Sequence, residues 1–389
     1  MTAMVYGSVP VTPGEPILPK WWRTVDRWVI VSVLALFAIG ILLGFAASPP
    51  LAEKTGNSPF YFVAKQARFG ALALVTMVVL SMMSPQMIRR IGVLVFGVAF
   101  VAIVLLPYFG TDHGKGATRW FSLFGLSLQP SEFLKPGFVI FTAWLMSASS
   151  EIFGPPGKRI SVIVTILTVA FLVAQPDFGQ ASLILATWAI IYFVAGAPIL
   201  LLVGIAGLTV AGGTVAYNMS EHFRGRIDGF LSVDIDPTSQ LGFAANAIQE
   251  GGFFGVGVGG GTVKWSLPDA HTDFVIAVAA EEYGLVLVLL VILLFLVATV
   301  RSMFRMIRER DMFNRLAGTG LAALFGLQAM INLGVAARLL PPKGMTLPFV
   351  SYGGSSILAA GIAVGMLLAL TRTRPQGEMH DVLRRRPIS

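Results

Sequence analysis

Apolar residues fall along this chain in long runs, broken by short polar stretches, from one end to the other. Ten such runs lie near 28–48, 60–83, 91–109, 133–148, 160–174, 181–195, 198–217, 274–300, 316–337 and 349–370. Most have the length a helix needs to cross a hydrocarbon core about 30 Å thick. The pattern predicts an all-α polytopic membrane protein with about ten transmembrane helices.

The basic residues orient this bundle. Lys20, Arg23 and Arg27, then Arg89, Arg90, Lys158 and Arg159, then the group from Arg301 to Arg315, and finally Arg372 to Arg386 occupy both tails and alternate connections. Positively charged loops stay in the cytoplasm, so both termini are expected there, and 110–135, 175–180, 218–273 and 338–348 face outward. Residues 1–27 read as a cytoplasmic tail, 28–370 as the transmembrane domain, and 371–389 as a second cytoplasmic tail. The largest outward loop joins the seventh and eighth spans. The first run follows a polar, aromatic stretch and is long enough to span, so it is expected to remain as a signal anchor.

Composition narrows the functions. Only 12% of residues are charged against 55% apolar, so the spans consume the chain and no loop can hold a core of its own. The net charge of +8 is spread over membrane-flanking loops rather than gathered on one face, and no nucleic-acid partner is expected. The absence of cysteine removes disulfides, zinc–thiolate sites and thiol nucleophiles. Gly255-Val-Gly-Val-Gly-Gly260 matches a dinucleotide-binding pattern, but no strand–helix–strand unit surrounds it, and a flexible turn is expected. The other histidines lie far from His271, so no protein-bound metal is assigned.

The remaining polar clusters lie on the outward side. Leu267-Pro-Asp-Ala-His-Thr-Asp-Phe274 sets Asp269, His271 and Asp273 at the mouth of the eighth span, where an ionisable group is costly unless it is solvated or paired. Glu132 and Lys135 stand one helical turn apart where the fourth span begins, suited to substrate or to a local ion pair. Asp177 sits at a kink between Pro176 and Gly179, as a ligand or as a cap. Arg119 and Lys343 supply outward cations, with Arg224 and Arg226 as further candidates. Glu281 and Glu282 lie within the eighth span, about 12 Å beyond Asp273, and helical angles turn only Glu281 toward it.

In chain order, Arg119-Trp120, Gln129-Pro-Ser-Glu132 with Lys135, Gln175-Pro-Asp177 with Gly179, Leu267 to Phe274, Glu281-Glu282, and Leu347-Pro-Phe-Val-Ser-Tyr-Gly-Gly-Ser-Ser356 resemble the motifs of the SEDS family. The resemblance covers nearly the whole chain. Ala270 and the segment from Lys343 to Pro348 favour the cell-division branch of that family over the elongation branch. Gln180, Ser239-Gln240, Arg338 and Pro342 depart from the usual pattern, which leaves acceptor contacts in the 237–250 loop unassigned. The resemblance implies a peptidoglycan glycosyltransferase that polymerises lipid II into a growing glycan strand. It would act at the periplasmic face of the bacterial inner membrane, at the division septum, with a class B penicillin-binding transpeptidase and other division proteins. It implies Asp273 as the catalytic residue, and Arg119, Glu132, Lys135, Asp177, His271, Lys343, Ser351 and Ser355 as substrate-binding residues.

Joining two saccharides requires a carboxylate that takes a proton from a sugar hydroxyl, and cations that hold a departing lipid pyrophosphate. Asp273 is the expected general base, and Arg119, Lys135 and Lys343 are the expected pyrophosphate contacts. No cofactor is demanded; a divalent cation, Mg2+ or Mn2+, accompanying the pyrophosphate stays open. Two competing readings are a lipid II flippase, drawing on Glu281 and Glu282, and a non-enzymatic scaffold that recruits the transpeptidase.

Overall fold

The computed structural model describes residues 16–111, 119–123, 126–151, 153–219, 221–232 and 239–373. Lys115, Asp236 and most of the two tails lie outside these described residues. Each of the ten expected apolar runs falls on a helix. In order the helices are α1 (Ile17–Thr24), α2 (Arg27–Lys54), α3 (Tyr61–Ser81), α4 (Pro85–Phe109), α5 (Pro130–Ala148), α6 (Gly157–Ala174) and α7 (Phe178–Val194). There follow α8 (Ile199–Met219), α9 (Glu221–Leu231), α10 (Gln240–Gly251), α11 (Val275–Ile307), α12 (Met312–Ala336) and α13 (Gly354–Thr371). Seven of the described helices, α2, α3, α4, α6, α11, α12 and α13, are long and apolar enough to cross a membrane by themselves. The helix α7 and the apolar part of α8 are shorter, and α5 carries Glu132 and Lys135 in its first two turns.

Three features differ from the expected layout. A short antiparallel hairpin of β1 (Phe121–Leu123) and β2 (Leu126–Leu128) precedes α5, so the chain is not purely helical. Strands of three residues carry too little alternation to read from sequence. The 218–273 loop holds α9 and α10, and α10 buries Leu241, Ala244 and Ala247. The final helix starts at Gly354 rather than near 349, because the backbone turns at Phe349, whose φ is 64°.

Local chemistry sets several helix starts. Asp26 accepts from the Trp28 N–H at 3.1 Å, Ser84 from Met87 at 3.3 Å and Asp311 from Asn314 at 2.8 Å, each satisfying an amide that the first turn leaves unpaired. The helices α5, α12 and α13 are buried nearly all round and form the centre of the bundle. Small residues bring backbones together there: a Cβ at Gly137 would lie 2.5 Å from the Phe96 nitrogen, and one at Gly361 would lie 2.6 Å from the Ala73 carbonyl oxygen. At one end of the bundle, buried Asp26 pairs with Arg301 at 2.8 Å and Arg305 at 2.7 Å, tying the start of α2 to the end of α11.

The span α11 is interrupted. Gly284 has φ 74° and ψ −174°, a backbone region essentially restricted to glycine. Two helical hydrogen bonds are lost there, and the segment after α10 replaces both. The N–H groups of Leu285 and Val286 donate to the carbonyls of Gly252 and Phe253, at 3.0 and 3.4 Å. The freed carbonyls of Glu281 and Glu282 accept from Val256 and Gly257, at 2.9 and 3.2 Å. Residues 252–264 thus form a strap laid along the upper half of α11. Positive φ at Gly255, Gly257 and Gly259 fits the turn expected of that glycine run.

Candidate active site

Asp273 ends the turn that leads into α11. The Asp269 carbonyl accepts from the amides of Thr272 and Asp273, at 3.0 and 3.1 Å, which closes the turn. The Asp273 carbonyl accepts from the Asn332 side-chain amide at 2.9 Å, and the same amide nitrogen donates to the Met345 carbonyl at 2.6 Å. One buried side chain of α12 therefore joins the turn that carries Asp273 to the loop that carries Lys343. Gly344, in that loop, is exposed, and a Cβ there would lie 3.6 Å from Asp273 Oδ2. The loop therefore passes the carboxylate at van der Waals distance.

Lys343 leans on α7. Its ammonium donates to Ser182 Oγ at 3.1 Å, and a Cβ at Gly179 would meet the Lys343 carbonyl oxygen at 2.7 Å. Burial pushes the Lys343 ammonium below the ordinary lysine range. A half-buried cation that has lost part of its hydration is suited to meeting an anion, which would restore the charged form.

His271 stands behind Asp273 in an aromatic group, its ring 6.2 Å from Phe62 and 5.7 Å from Tyr352. The Tyr352 amide donates to the His271 carbonyl at 2.9 Å. Burial pushes the Tyr352 phenol up to about 12, so it keeps its proton at neutral pH. A small cleft lined by Gly44, Ala47, Val63 and Gln66 opens beside this group, between α2 and α3.

Glu132, Lys135, Asp177, Ser351 and Ser355 are buried beneath this surface and hold it in place. Lys135 pairs with Glu132 at 2.8 Å and donates to Gln328 Oε1 at 3.0 Å. Gln180 donates to Glu132 at 2.6 Å, and Gln328 donates to the Thr346 carbonyl at 3.0 Å. This chain of bonds links α5, α7 and α12 to the 340–353 loop. Asp177 caps α7 through the Gln180 amide at 3.4 Å and accepts from the Gln129 side chain at 3.5 Å. Burial pushes its carboxyl above the usual range, and the nearby Arg119 guanidinium pulls it back.

Arg119 itself donates to the carbonyls of Gln175 and Pro176, at 3.0 and 2.6 Å, and so clamps the turn that presents Asp177. Ser351 accepts from the Leu347 amide at 2.9 Å and donates to the Thr272 carbonyl; Ser355 joins the Gln129 amide to the Ser127 carbonyl, both at 3.1 Å. Arg224 donates to the carbonyls of Tyr217 and Asn218 between α8 and α9, and the Arg226 side chain lies outside the described residues. The structure therefore gathers Asp273, His271 and Lys343 at a partly exposed surface. Glu132, Lys135, Asp177, Ser351 and Ser355 lie below it.

Asn332 and Gln328 were not among the sequence candidates. Their signal is two amides four residues apart, hence on one helical face, inside an otherwise apolar run. Glu281 does not reach toward Asp273. It accepts from the amides of Thr262 and Val263 at 2.6 and 2.8 Å, while Glu282 pairs with buried Lys264, so both carboxylates anchor the strap.

The sequence pattern of the FtsW, RodA and SpoVE cell cycle proteins matches residues 27–376. A relative from Caulobacter vibrioides, named a probable peptidoglycan glycosyltransferase FtsW, is 41% identical over 359 residues, 92% of either chain. Stage V sporulation protein E of Bacillus subtilis is 31% identical over 358 residues, covering 89% of this chain and 97% of that one. A chain from a peptidoglycan synthase complex, solved to describe coordination of polymerization and crosslinking, superposes with a TM-score of 0.73 at 28% identity, covering 89% of this chain and 97% of that one. The rod shape determining protein RodA of Thermus thermophilus superposes with a TM-score of 0.65 at 25% identity, covering 90% and 97%. With both kinds of likeness running over most of its length, this chain belongs to the FtsW, RodA and SpoVE family of cell cycle proteins.

Proposed function

We propose that this chain is a peptidoglycan glycosyltransferase of cell division that polymerises lipid II at the periplasmic face of the inner membrane. Asp273 takes the proton of an attacking sugar hydroxyl. That oxygen forms the new glycosidic bond at the anomeric carbon of the second saccharide. The bond from that carbon to undecaprenyl pyrophosphate breaks, and the pyrophosphate leaves with the electron pair. Lys343 stabilises the charge that develops on it. The observation that carries this reading is the meeting of the Asp273 carboxylate with the Lys343–Gly344 loop, held by the single Asn332 amide. The names of the relatives support the reaction class.

Among the described residues, no three or more His, Asp or Glu side chains gather as metal ligands. A Mg2+ or Mn2+ ion that enters with the pyrophosphate would be held by its phosphate oxygens. The flippase reading loses the two carboxylates it drew on, since Glu281 and Glu282 hold the strap. A partner transpeptidase is supported by the synthase complex to which one structural neighbour belongs. Polymerisation of labelled lipid II by the purified protein, alone and with its class B transpeptidase, tests the reading. Absence of strand product from both would overturn it.

The topology that accompanies this function has ten spans, with both termini cytoplasmic. Reporters fused after Arg90, Lys158 and Arg308 are expected to read cytoplasmic, and one fused near Lys343 periplasmic. A cytoplasmic reading at Lys343 would remove the site from its substrate.

Lys343→Ala is expected to slow polymerisation about 10- to 150-fold, from the roughly 1.5 to 3 kcal/mol of a hydrogen bond to a charged group, with membrane abundance near normal. The pH dependence has a definite sign. Because burial lowers the Lys343 pKa, its charge is lost as pH rises through a value below that of an ordinary lysine, and activity falls with it. Lys343→Arg keeps the charge and is expected to move that alkaline limb upward. An unchanged limb would remove Lys343 from the pyrophosphate.

A further inference from the structure

The strap of residues 252–264 carries a feature the reaction does not use. Phe253, Phe254 and Val258 are 71%, 85% and 76% exposed, and Val256 is exposed between them. Four large side chains within residues 253–258, spaced by Gly255 and Gly257, are thus exposed. In an aqueous loop that would be a costly surface.

Its depth gives the reason. Phe253 and Gly255 meet α11 at Gly284, nine residues beyond Val275, the first residue of α11. At a rise of about 1.5 Å per residue that point lies roughly 14 Å from the outer end of a helix about 50 Å long, level with the start of its continuous apolar stretch from Leu285 to Val300. The mean hydropathy of α11 reaches 3.0, among the most apolar helices described. The strap descends after α10 and returns toward the outer end of α2, where Lys54 donates to the Trp265 carbonyl at 3.3 Å. On the protein side the carbonyls of Gly252 and Phe253 and the amides of Val256 and Gly257 are satisfied by the four bonds exchanged with α11. Pairing of this kind is what lets irregular backbone lie against a span at the edge of the hydrocarbon. The ridge is also continuous with a lipid-facing surface: Val286, Leu289 and Leu293 of α11, immediately below it, are each more than half exposed.

We propose that residues 252–259 form a re-entrant element whose Phe253–Val258 ridge is seated among the acyl chains of the outer leaflet. The segment that carries Asp273 then hangs between a lipid-embedded strap on one side and the Asn332 bridge on the other. This inference rests on the depth of the strap along α11 and is independent of the reaction assigned to the site.

The chain has no cysteine, so single-cysteine variants report one position each. Phe254→Cys is compared in lipid nanodiscs with Asn57→Cys, exposed just beyond α2, and Leu289→Cys, on the bare face of α11. A charged maleimide is expected to label Phe254→Cys about tenfold or more slowly than Asn57→Cys, because water is scarce at that depth. An uncharged fluorophore at the same position is expected to be quenched by spin-labelled phosphatidylcholine to the extent seen at Leu289→Cys. Labelling within about threefold of Asn57→Cys would place the ridge in water and overturn the proposal. Slow labelling without lipid quenching would mean that protein covers the ridge, and would overturn it equally. Val258→Cys supplies the same two readings if Phe254→Cys does not insert.

Discussion

Asp273→Asn is expected to give a stable, membrane-inserted protein that still binds its transpeptidase partner and makes essentially no glycan strand. The substitution preserves side-chain size and most hydrogen bonding while removing the ability to accept a proton. The main chain of residue 273 is held independently of its side chain. The Asp269 turn and the Asn332 bridge hold residue 273 through its main chain, and Gly344 adds no side chain that the carboxylate must support. A general base contributes roughly 10²- to 10⁴-fold, so the loss stands clear of assay noise. Labelled lipid II, gel analysis of strands and a co-purification assay for the partner read the two halves of the expectation separately. Polymerisation within about threefold of wild type, against that expected range, would remove Asp273 as the base and reopen the flippase reading.

The bundle was largely legible before the structure, because each span needs only a long apolar run, and every predicted run falls on a helix. The pairing of Glu132 with Lys135 was legible for a similar reason: three residues apart on a helix is a local relation. Relations between distant segments were not. Arg119 was a candidate for pyrophosphate because it is an outward cation, yet its guanidinium meets two carbonyls more than fifty residues away. No local pattern encodes that meeting. Glu281 was turned toward Asp273 by extending helical angles back to residue 273. The helix begins only at Val275, and the turn before it follows no 100° step, so the angle fails. Asn332 and Gln328 carry no charge and so leave a fainter mark in the sequence. In an apolar run a neutral amide is also costly unless bonded, and here the amides join the loops of the site.

The break in α11 yields the largest expected effect on stability. Gly284→Ala imposes a side chain where φ is 74° and ψ is −174°, and its Cβ would fall 2.3 Å from the Phe253 carbonyl oxygen and 2.5 Å from the Gly255 nitrogen. Neither obstacle is the flexible end of a side chain. The backbone region alone costs on the order of 1–3 kcal/mol, and the contact adds to it. Relief requires the strap to lift from α11, which would uncover the buried Glu281 and Glu282 carboxylates and release the segment that presents Asp273. The variant is therefore expected to unfold at a markedly lower temperature in detergent and to lose polymerisation with its fold. Gly97→Ala is the matched control. It lies in α4, where a Cβ meets nothing within 4 Å, and alanine there is expected to be neutral or to stabilise by about 0.5–1 kcal/mol. If Gly284→Ala melts together with wild type and Gly97→Ala, the strap is not locked onto α11 through this residue, and the exchange of hydrogen bonds across the break is not what holds the site in place.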